Sequence, residues 1–136
     1  PNNTLIDKTM LIIEDMISNK DIENIKNFYV KYFNCKCNDK YINNKKGFKS
    51  YFLSFENGSK IEIMNIKDIN ELNKENNFYG FAHIAISVGS KYKVDSLTEE
   101  LKNDGYIISS NPRTTGDGYY ESVILDPENN KIELTI

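Results

Sequence analysis

The sequence predicts an α+β protein built from two copies of a βαβββ module. Helical periodicity occurs twice, strand-like segments follow each helix, and one short sequence pattern recurs near the end of each half. We place the first module at about residues 10–66, the second at about residues 80–136, and a linker at residues 67–79. The whole of residues 1–136 is then a single domain, which is long enough to bury a sizeable core.

Composition excludes several classes of protein. The chain has 136 residues, 39% of them hydrophobic and 27% charged, with a formal net charge of −3, as is typical of a soluble globular protein. It offers no basic stripe for nucleic acid, no apolar run near the roughly 20 residues of a membrane span, and no stretch resembling a signal peptide. Cys35 and Cys37 are too close for an ordinary disulfide and lack neighbours for a zinc site, so we expect reduced thiols in a cytoplasmic protein.

The first module begins with a strand at Met10–Ile17, interrupted by Glu14 and Asp15. Polar capping residues then precede a helix that starts at Asp21. The apolar residues of this helix recur at a spacing of 3.6: Ile22, Ile25, Phe28, Tyr29 and Phe33. Three strands are predicted after it, at Lys36–Ile42, Gly47–Phe55 and Lys60–Met64, and Asn57-Gly58 predicts a hairpin between the last two.

The second module begins with the strand that carries the only histidine of the chain, His83. Alternation puts Ile84, Ile86 and Val88 on a core face, and His83, Ala85 and Ser87 on a small, polar face that suits a cavity lining. The predicted helix at Lys91–Asp104 carries Val94, Leu97 and Leu101 on one side, and Gly105 closes it. The predicted strands after it are Tyr106–Ser109, Tyr119–Leu125 and Lys131–Ile136.

Two glutamates occupy equivalent places in the two halves. The stretch from Glu56 to Ile63 resembles the stretch from Glu128 to Leu134, with one residue of slack in the turn, and this makes Glu62 equivalent to Glu133. In both strands the alternation turns the glutamate away from its aliphatic neighbours. Duplication with recurring polar residues predicts a site built between the two copies. An imidazole and carboxylates that converge in a cavity suit a divalent metal ion.

These residues together make the sequence recognisable. It resembles the vicinal oxygen chelate superfamily, which includes glyoxalase I, bleomycin-resistance proteins and extradiol dioxygenases. The resemblance covers about residues 10–136 and rests on four stretches: Asp21–Tyr29, Lys60–Met64, Phe81–Ala85 and Asp126–Leu134. The stretch from Arg113 to Ser122 looks like a branch of small bacterial glyoxalase-like proteins. The resemblance implies the glyoxalase-like fold, with curved mixed sheets around a shared cleft, and a homodimer.

The resemblance also implies a set of metal ligands. Four side chains hold the metal in glyoxalase-type members, and Glu62, His83 and Glu133 match three of those positions. The remaining position, the first in chain order, is usually a histidine, and this chain has no second histidine. A count back from the helix without gaps puts Glu14 there. The expected ion is zinc, nickel, manganese or iron, and a set that includes Glu14 favours manganese, iron or magnesium.

That count depends on there being no insertion between strand and helix. An insertion before Asp21 would instead place Lys8 or Met10 near the first ligand position.

The resemblance implies a lyase or isomerase that acts on a small carbonyl compound or thiol adduct through a metal-stabilised enediolate. Glu133 or Glu62 would be the base, and the family pattern favours Glu133. Extradiol oxygen chemistry is disfavoured because it needs two histidines. The alternative is a resistance-type protein that binds a small molecule in the cleft without metal or catalysis.

The substrate-binding candidates lie between residues 113 and 122. Arg113, expected in a loop, either clamps an anionic group of the substrate or is solvated. The glycine-rich stretch 114–118 is a mobile lip over the cleft or an ordinary turn. Either Tyr119 and Glu121 or Tyr120 and Ser122 line the cleft, since alternation alone does not choose between the two faces; our prediction takes Tyr119 and Glu121.

Overall fold

The chain folds as two repeats of a βαβββ arrangement, which confirms the fold class that the sequence predicts. The computed structural model describes residues 11–18, 21–70, 74 and 79–136. These fall into two compact units, unit 1 from Pro1 to Glu71 and unit 2 from Leu72 to Ile136. The division lies inside the linker expected at residues 67–79. No helix in the described ranges is long and apolar enough to cross a membrane.

Each unit contains one helix and one mixed sheet. The elements of unit 1 are β1 (Ile12–Met16), α1 (Ile22–Phe33), β2 (Lys36–Cys37), β3 (Tyr41–Asn43), β4 (Phe48–Ser54) and β5 (Lys60–Asn65). Those of unit 2 are β6 (Ile84–Ser87), α2 (Lys91–Asn103), β7 (Ile108–Thr114), β8 (Tyr120–Leu125) and β9 (Lys131–Thr135). The strand order is β1-β5-β4-β2 in unit 1, with β3 also paired to β4, and β6-β9-β8-β7 in unit 2. In both units the first strand is parallel to the last, and the other pairs are antiparallel.

Helix α1 begins and ends at residues suited to those places. The Asp21 carboxylate accepts a hydrogen bond from the Asn24 backbone N–H at 3.0 Å, and Asn34 ends the helix in the left-handed conformation. The periodic apolar face packs on the sheet, where its buried residues are Ile25, Phe28, Tyr29 and Tyr32. Burial of that face stabilises the helix far more than its intrinsic propensity does.

Helix α2 is attached to its sheet by a buried polar contact as well as by apolar packing. Ser90 caps the helix, and its buried residues are Val94, Thr98 and Leu101. The Thr98 hydroxyl lies 2.7 Å from the Ser122 hydroxyl and donates to the Val94 carbonyl oxygen at 2.6 Å. These bonds satisfy hydroxyl groups that would be costly to bury alone.

The strand predicted at Lys36–Ile42 is divided in two. The pairing with β4 slips by one residue between β2 and β3. At the break the Asn38 side-chain oxygen accepts the Phe52 backbone N–H at 2.8 Å, so a side chain replaces the missing backbone acceptor. The local alternation of residues does not reveal such a bulge.

The strand predicted at Tyr106–Ser109 is displaced along the chain. The structure has β7 at Ile108–Thr114, with two shifts of register against β8. Pro112 lies inside β7, which is possible because β7 is at the edge of its sheet and bulged. The expectation that Arg113 lies in a loop is therefore wrong, since Arg113 is in β7 and pairs with Glu121 of β8.

The backbone pairing of the two repeats aligns them without a gap, whereas the comparison of their sequences needed one extra residue in the turn. The Phe55 N–H donates to Ser59 O, and Asp126 N–H donates to Asn130 O, each at 2.9 Å. Ile17 N–H donates to Met64 O, and Val88 N–H to Thr135 O, each at 2.8 Å. Each of these four residues of unit 1 is equivalent to the residue of unit 2 that lies 71 positions later in the chain (17 and 88, 55 and 126, 59 and 130, 64 and 135). Glu62 and Glu133 obey the same shift, so they are equivalent by backbone geometry.

A polar cluster joins α1 to the divided edge of its sheet. The Glu23 carboxylate forms ion pairs with Lys40 and with Lys26, the latter at 2.9 Å, and accepts a hydrogen bond from Tyr51 OH at 2.9 Å. The two ammonium groups lie 5.4 and 5.0 Å from the centre of the Tyr51 ring. Hydrogen bonds from Lys40 and then Lys26 lower the pKa of Glu23 to about 2.

We predict that Glu23→Gln lowers the free energy of unfolding by about 0.5–1 kcal/mol at pH 7, because the ion pairs are partly exposed and screened. The folded-state pKa of Glu23 lies below the unfolded value of 4.5, so its contribution is complete above pH 4.5 and is lost as the pH falls toward 2. Urea unfolding of the wild type and the variant between pH 3 and 7 measures this.

Glu56→Gln is the matched control, since Glu56 is exposed in a turn. A difference between Glu23→Gln and the wild type that stays constant over this pH range would show that the charge of Glu23 does not stabilise the fold.

Candidate functional site

The centre of the candidate site in unit 2 is a hydrogen bond between His83 and Glu133. Ala85 of β6 pairs with Glu133 of β9, and His83 lies two residues before Ala85, on the same face of the sheet. The His83 Nε2 atom is 2.9 Å from Glu133 Oε2. The Glu133 side chain is 18% exposed and that of His83 37%, so the pair is partly shielded yet open to a ligand. The structure thus brings together two residues that the sequence predicted for one site.

A second carboxyl group lies beside this pair. Glu121 of β8 contacts Glu133, and burial, the hydrogen bond to Glu133 and the charge of Glu133 raise the pKa of Glu121. The Arg113 guanidinium acts in the opposite direction, with its Nη2 atom 3.7 Å from Glu121 Oε1. Arg113 Nη1 also donates to the Ser110 hydroxyl at 2.6 Å. Arg113 therefore lies beside Glu121 and favours its charged form. The predicted contact of Arg113 with a substrate stays a prediction.

An open depression of about 520 Å³ lies over this face of unit 2. Its lining consists of Ala85, Thr115, Asp117, Tyr119, Glu121, Glu133 and Thr135. The volume suits a small organic molecule.

The structure shows which of the two faces around residues 119–122 lines the depression. Ser122 is buried against Thr98, and Tyr120 OH donates to Asp95 of α2, so these two side chains face the helix. Tyr119 and Glu121 face the depression instead.

Residues 115–119 close one side of the depression as a hydrogen-bonded turn. The Thr115 N–H donates to Tyr119 O at 2.8 Å, and the Gly118 N–H donates to Thr115 O at 2.9 Å. Gly118 has a φ of +91°, which explains why a glycine occurs there. The Thr115 hydroxyl donates to the Asp117 carboxylate and thereby lowers the pKa of Asp117. Sequence reasoning missed Asp117, although a threonine two residues before an aspartate in a glycine-rich stretch is a signal for such a turn.

The corresponding face of unit 1 carries different side chains. Glu14 of β1 pairs with Glu62 of β5, and Phe52 of β4 pairs with Glu62 from the other side. Glu14 is exposed and Glu62 is half-buried. Where Glu133 has the small Ala85 as its neighbour, Glu62 has a second carboxylate.

The residue of unit 1 that is equivalent to His83 is Ile12. The shift of 71 positions that relates the β1–β5 pair to the β6–β9 pair takes residue 12 to 83 and Glu14 to Ala85. The helix caps follow a different shift, since Asp21 and Ser90 are 69 positions apart. Two extra residues therefore separate strand from helix in unit 1. The count back from the helix did not include them, and by strand pairing Glu14 is equivalent to Ala85 and not to His83.

Unit 1 thus has an insertion before Asp21 relative to unit 2, but a different residue from those predicted for that case occupies the first ligand position. It places Ile12 at the first position, and the residues named for that case, Lys8 and Met10, lie outside the described residues.

The residues found at the predicted ligand positions do not fit the set of four metal ligands that the resemblance implies. Ile12 has no atom that binds a metal, and Glu14 lies opposite Glu62 instead of at the first ligand position. Among the described residues, no group of three or more histidine, cysteine, aspartate and glutamate side chains is arranged to hold a metal ion. The roles of Glu14, Glu62, His83 and Glu133 as metal ligands stay predictions.

Comparison with known proteins identifies the family. A sequence model of the glyoxalase/bleomycin resistance protein/dioxygenase superfamily matches residues 6–134. The chain belongs to this superfamily. No curated protein matches the chain by sequence.

Solved structures of similar fold include glyoxalase I from Zea mays, with a TM-score of 0.75 and 22% identity. The alignment covers 93% of this chain but only 43% of the maize chain, so this chain spans less than half of that enzyme. A possible glyoxalase from Bacillus cereus aligns over 94% of this chain and 98% of its own, with a TM-score of 0.69 and 20% identity. The trypanothione-dependent glyoxalase I of Leishmania major aligns over 93% and 85%, with a TM-score of 0.71 and 18% identity. At these identities the likeness shows the glyoxalase-like fold alone.

We predict that Glu133→Gln lowers the pKa of Glu121, because the substitution removes a neighbouring negative charge. Burial, the largest cause of the raised pKa, is unchanged by the substitution, so only part of the shift should be lost. Carboxyl ¹³C NMR titration of the chelator-treated protein measures both values.

Glu62→Gln, at the equivalent place in unit 1, is the matched control and should leave the titration of Glu121 unchanged. An unchanged pKa in Glu133→Gln would mean that the two carboxyl groups of unit 2 do not interact.

Proposed function

We propose that unit 2 catalyses proton transfer on a small carbonyl compound or thiol adduct, as a glyoxalase-like lyase or isomerase. The observation that carries this proposal is the 2.9 Å contact between His83 and Glu133, with Glu121 beside it at the depression. A base, the group that orients it and a second carboxyl group are the parts that such a reaction requires.

Glu133 is the base in this proposal. Its hydrogen bond to His83 fixes the orientation of the carboxylate, and its side chain is partly exposed at the depression. A carbon–hydrogen bond next to a carbonyl group, placed over Glu133, would lose its proton to the carboxylate. Positioned general bases of this kind accelerate proton transfer by about 10²–10⁴-fold.

Glu121 is the group that stabilises the negative charge formed on the carbonyl oxygen. Glu121 lines the depression beside Glu133, so in its protonated form it would donate a hydrogen bond to the developing oxyanion. Arg113 holds Glu121 from β7, and Tyr119 stands at the rim of the depression, 61% exposed, where it would contact the substrate.

Many members of the superfamily use a divalent metal ion, and zinc, nickel, manganese or iron is the cofactor expected from the resemblance. The misfit at Ile12 means that the roles proposed here use only the acid–base groups of the chain itself. A homodimer in the cytoplasm belongs to the same proposal. The free thiols of Cys35 and Cys37 support a reducing compartment, and light scattering tests the dimer.

The second candidate function is binding of a small molecule without turnover, as in resistance-type proteins. The observation in its favour is again Ile12, because a duplicated site that lacks one imidazole has lost part of the set found in the enzymes of the family. The depression and its polar groups serve this function equally well.

We predict that the wild type exchanges the α-proton of small hydroxyketones or hemithioacetals with solvent deuterium, and that Glu133→Gln reduces the rate by at least 100-fold. ¹H NMR in D₂O measures the exchange without any assumption about the product. His83→Gln should reduce it less, since it removes only the group that orients the base.

Glu62→Gln is the matched control and should keep the wild-type rate. Equal loss in Glu62→Gln and Glu133→Gln would contradict a site confined to unit 2 and favour the four-ligand metal site. Saturable ligand binding without exchange would establish the second candidate function.

A further inference from the structure

We infer that the two repeats have divided roles, and that the single residue Ile12 removes the imidazole–carboxylate pair from unit 1. Unit 2 keeps that pair, and unit 1, which has no histidine, has no counterpart of it. This inference goes beyond the proposed reaction and does not depend on it, because it concerns metal affinity and the residue that sets it.

The first step is the backbone equivalence of the two positions. Ile12 pairs with Lys60 in β1 and β5, and the pairing of β6 with β9, extended by one residue, sets His83 against Lys131. In unit 2 the imidazole starts at that place and reaches along the neighbouring strand to the carboxylate two residues on, at 2.9 Å. An imidazole at position 12 would have the same reach to Glu62.

The second step is the space at position 12. The Ile12 side chain is 57% exposed, so it fills no core cavity, and a ring of similar size replaces it without displacing buried atoms. An exposed isoleucine contributes little to the fold at this place. The position therefore accepts a ligand residue at small cost in stability.

The third step is that Glu14 does not replace the missing imidazole. Glu14 sits directly opposite Glu62 on the neighbouring strand, whereas His83 sits two residues away from the partner of Glu133. Two carboxylates at directly opposed positions repel each other, while an imidazole and a carboxylate attract or share a proton. The chemistry of the unit 1 pair thus differs from that of the unit 2 pair.

The test compares metal binding by the full chain without an affinity tag. Calorimetry with Ni²⁺ and the visible spectrum with Co²⁺ report affinity and ligand set without any activity assay. The wild type should bind weakly, and Ile12→His should bind at least ten-fold more tightly. Adding Glu62→Gln to Ile12→His should abolish the gain.

Glu14→His is the matched control, since it places the same ring on the same strand and face, two residues along. It should give no comparable gain. A gain in Glu14→His but not in Ile12→His would overturn the inference, and so would a folded Ile12→His variant without a gain.

The wild-type measurement keeps the inference open to refutation even if Ile12→His fails to fold. A tight 1:1 metal site in the wild type that is lost in Glu62→Gln would overturn it. Weak binding in the wild type that Glu62→Gln leaves unchanged would support it.

Discussion

The parallel pairing of the first strand with the last strand in each unit determines where the four predicted metal ligands lie. β1 pairs with β5 and β6 pairs with β9, and the register of these pairs decides which side chains are neighbours across the strands. A change of one residue in register would turn a strand's entire polar face toward the helix. The buried aliphatic residues on the opposite face, such as Ile61 and Ile132, fix that register, because their exposure would cost about 1.5–3 kcal/mol each.

The sequence predicted the elements well where the signal is local. Helix α1 has a capping aspartate and a periodic apolar face, the turn at Asn57-Gly58 has residues suited to it, and alternation placed His83 and Glu133 on the same kind of face. These features depend on residues within a few positions of one another. The side chains of Tyr119 and Glu121 needed one further fact, namely which face of β8 meets α2, and the Thr98–Ser122 contact supplies it.

The errors have one physical origin, which is the number of residues between paired positions. The bulge at Asn38, the two register shifts of β7 and the two extra residues before α1 all change spacing without changing the pattern of apolar residues. Register is set by pairing between distant segments, so an inserted residue is visible only once the partner strand is in place. That is why the count along the sequence leads to Glu14 while strand pairing makes Ile12 equivalent to His83, and why Arg113 is expected in a loop but lies in β7.

Electrostatics explains why one repeat keeps its polar set and the other differs. Two carboxyl groups side by side are costly to shield from water unless a cation or a proton accompanies them. In unit 2, His83 contacts Glu133 and the Arg113 guanidinium lies beside Glu121. These side chains can therefore lie close together although both glutamates are largely shielded from water. In unit 1, Glu14 is exposed beside Glu62, and water screens the repulsion between them. If the Glu14–Glu62 pair were shielded from water, a cation would have to replace that water. In unit 2 the neighbouring strands already supply partners for the glutamates, namely His83 and Arg113.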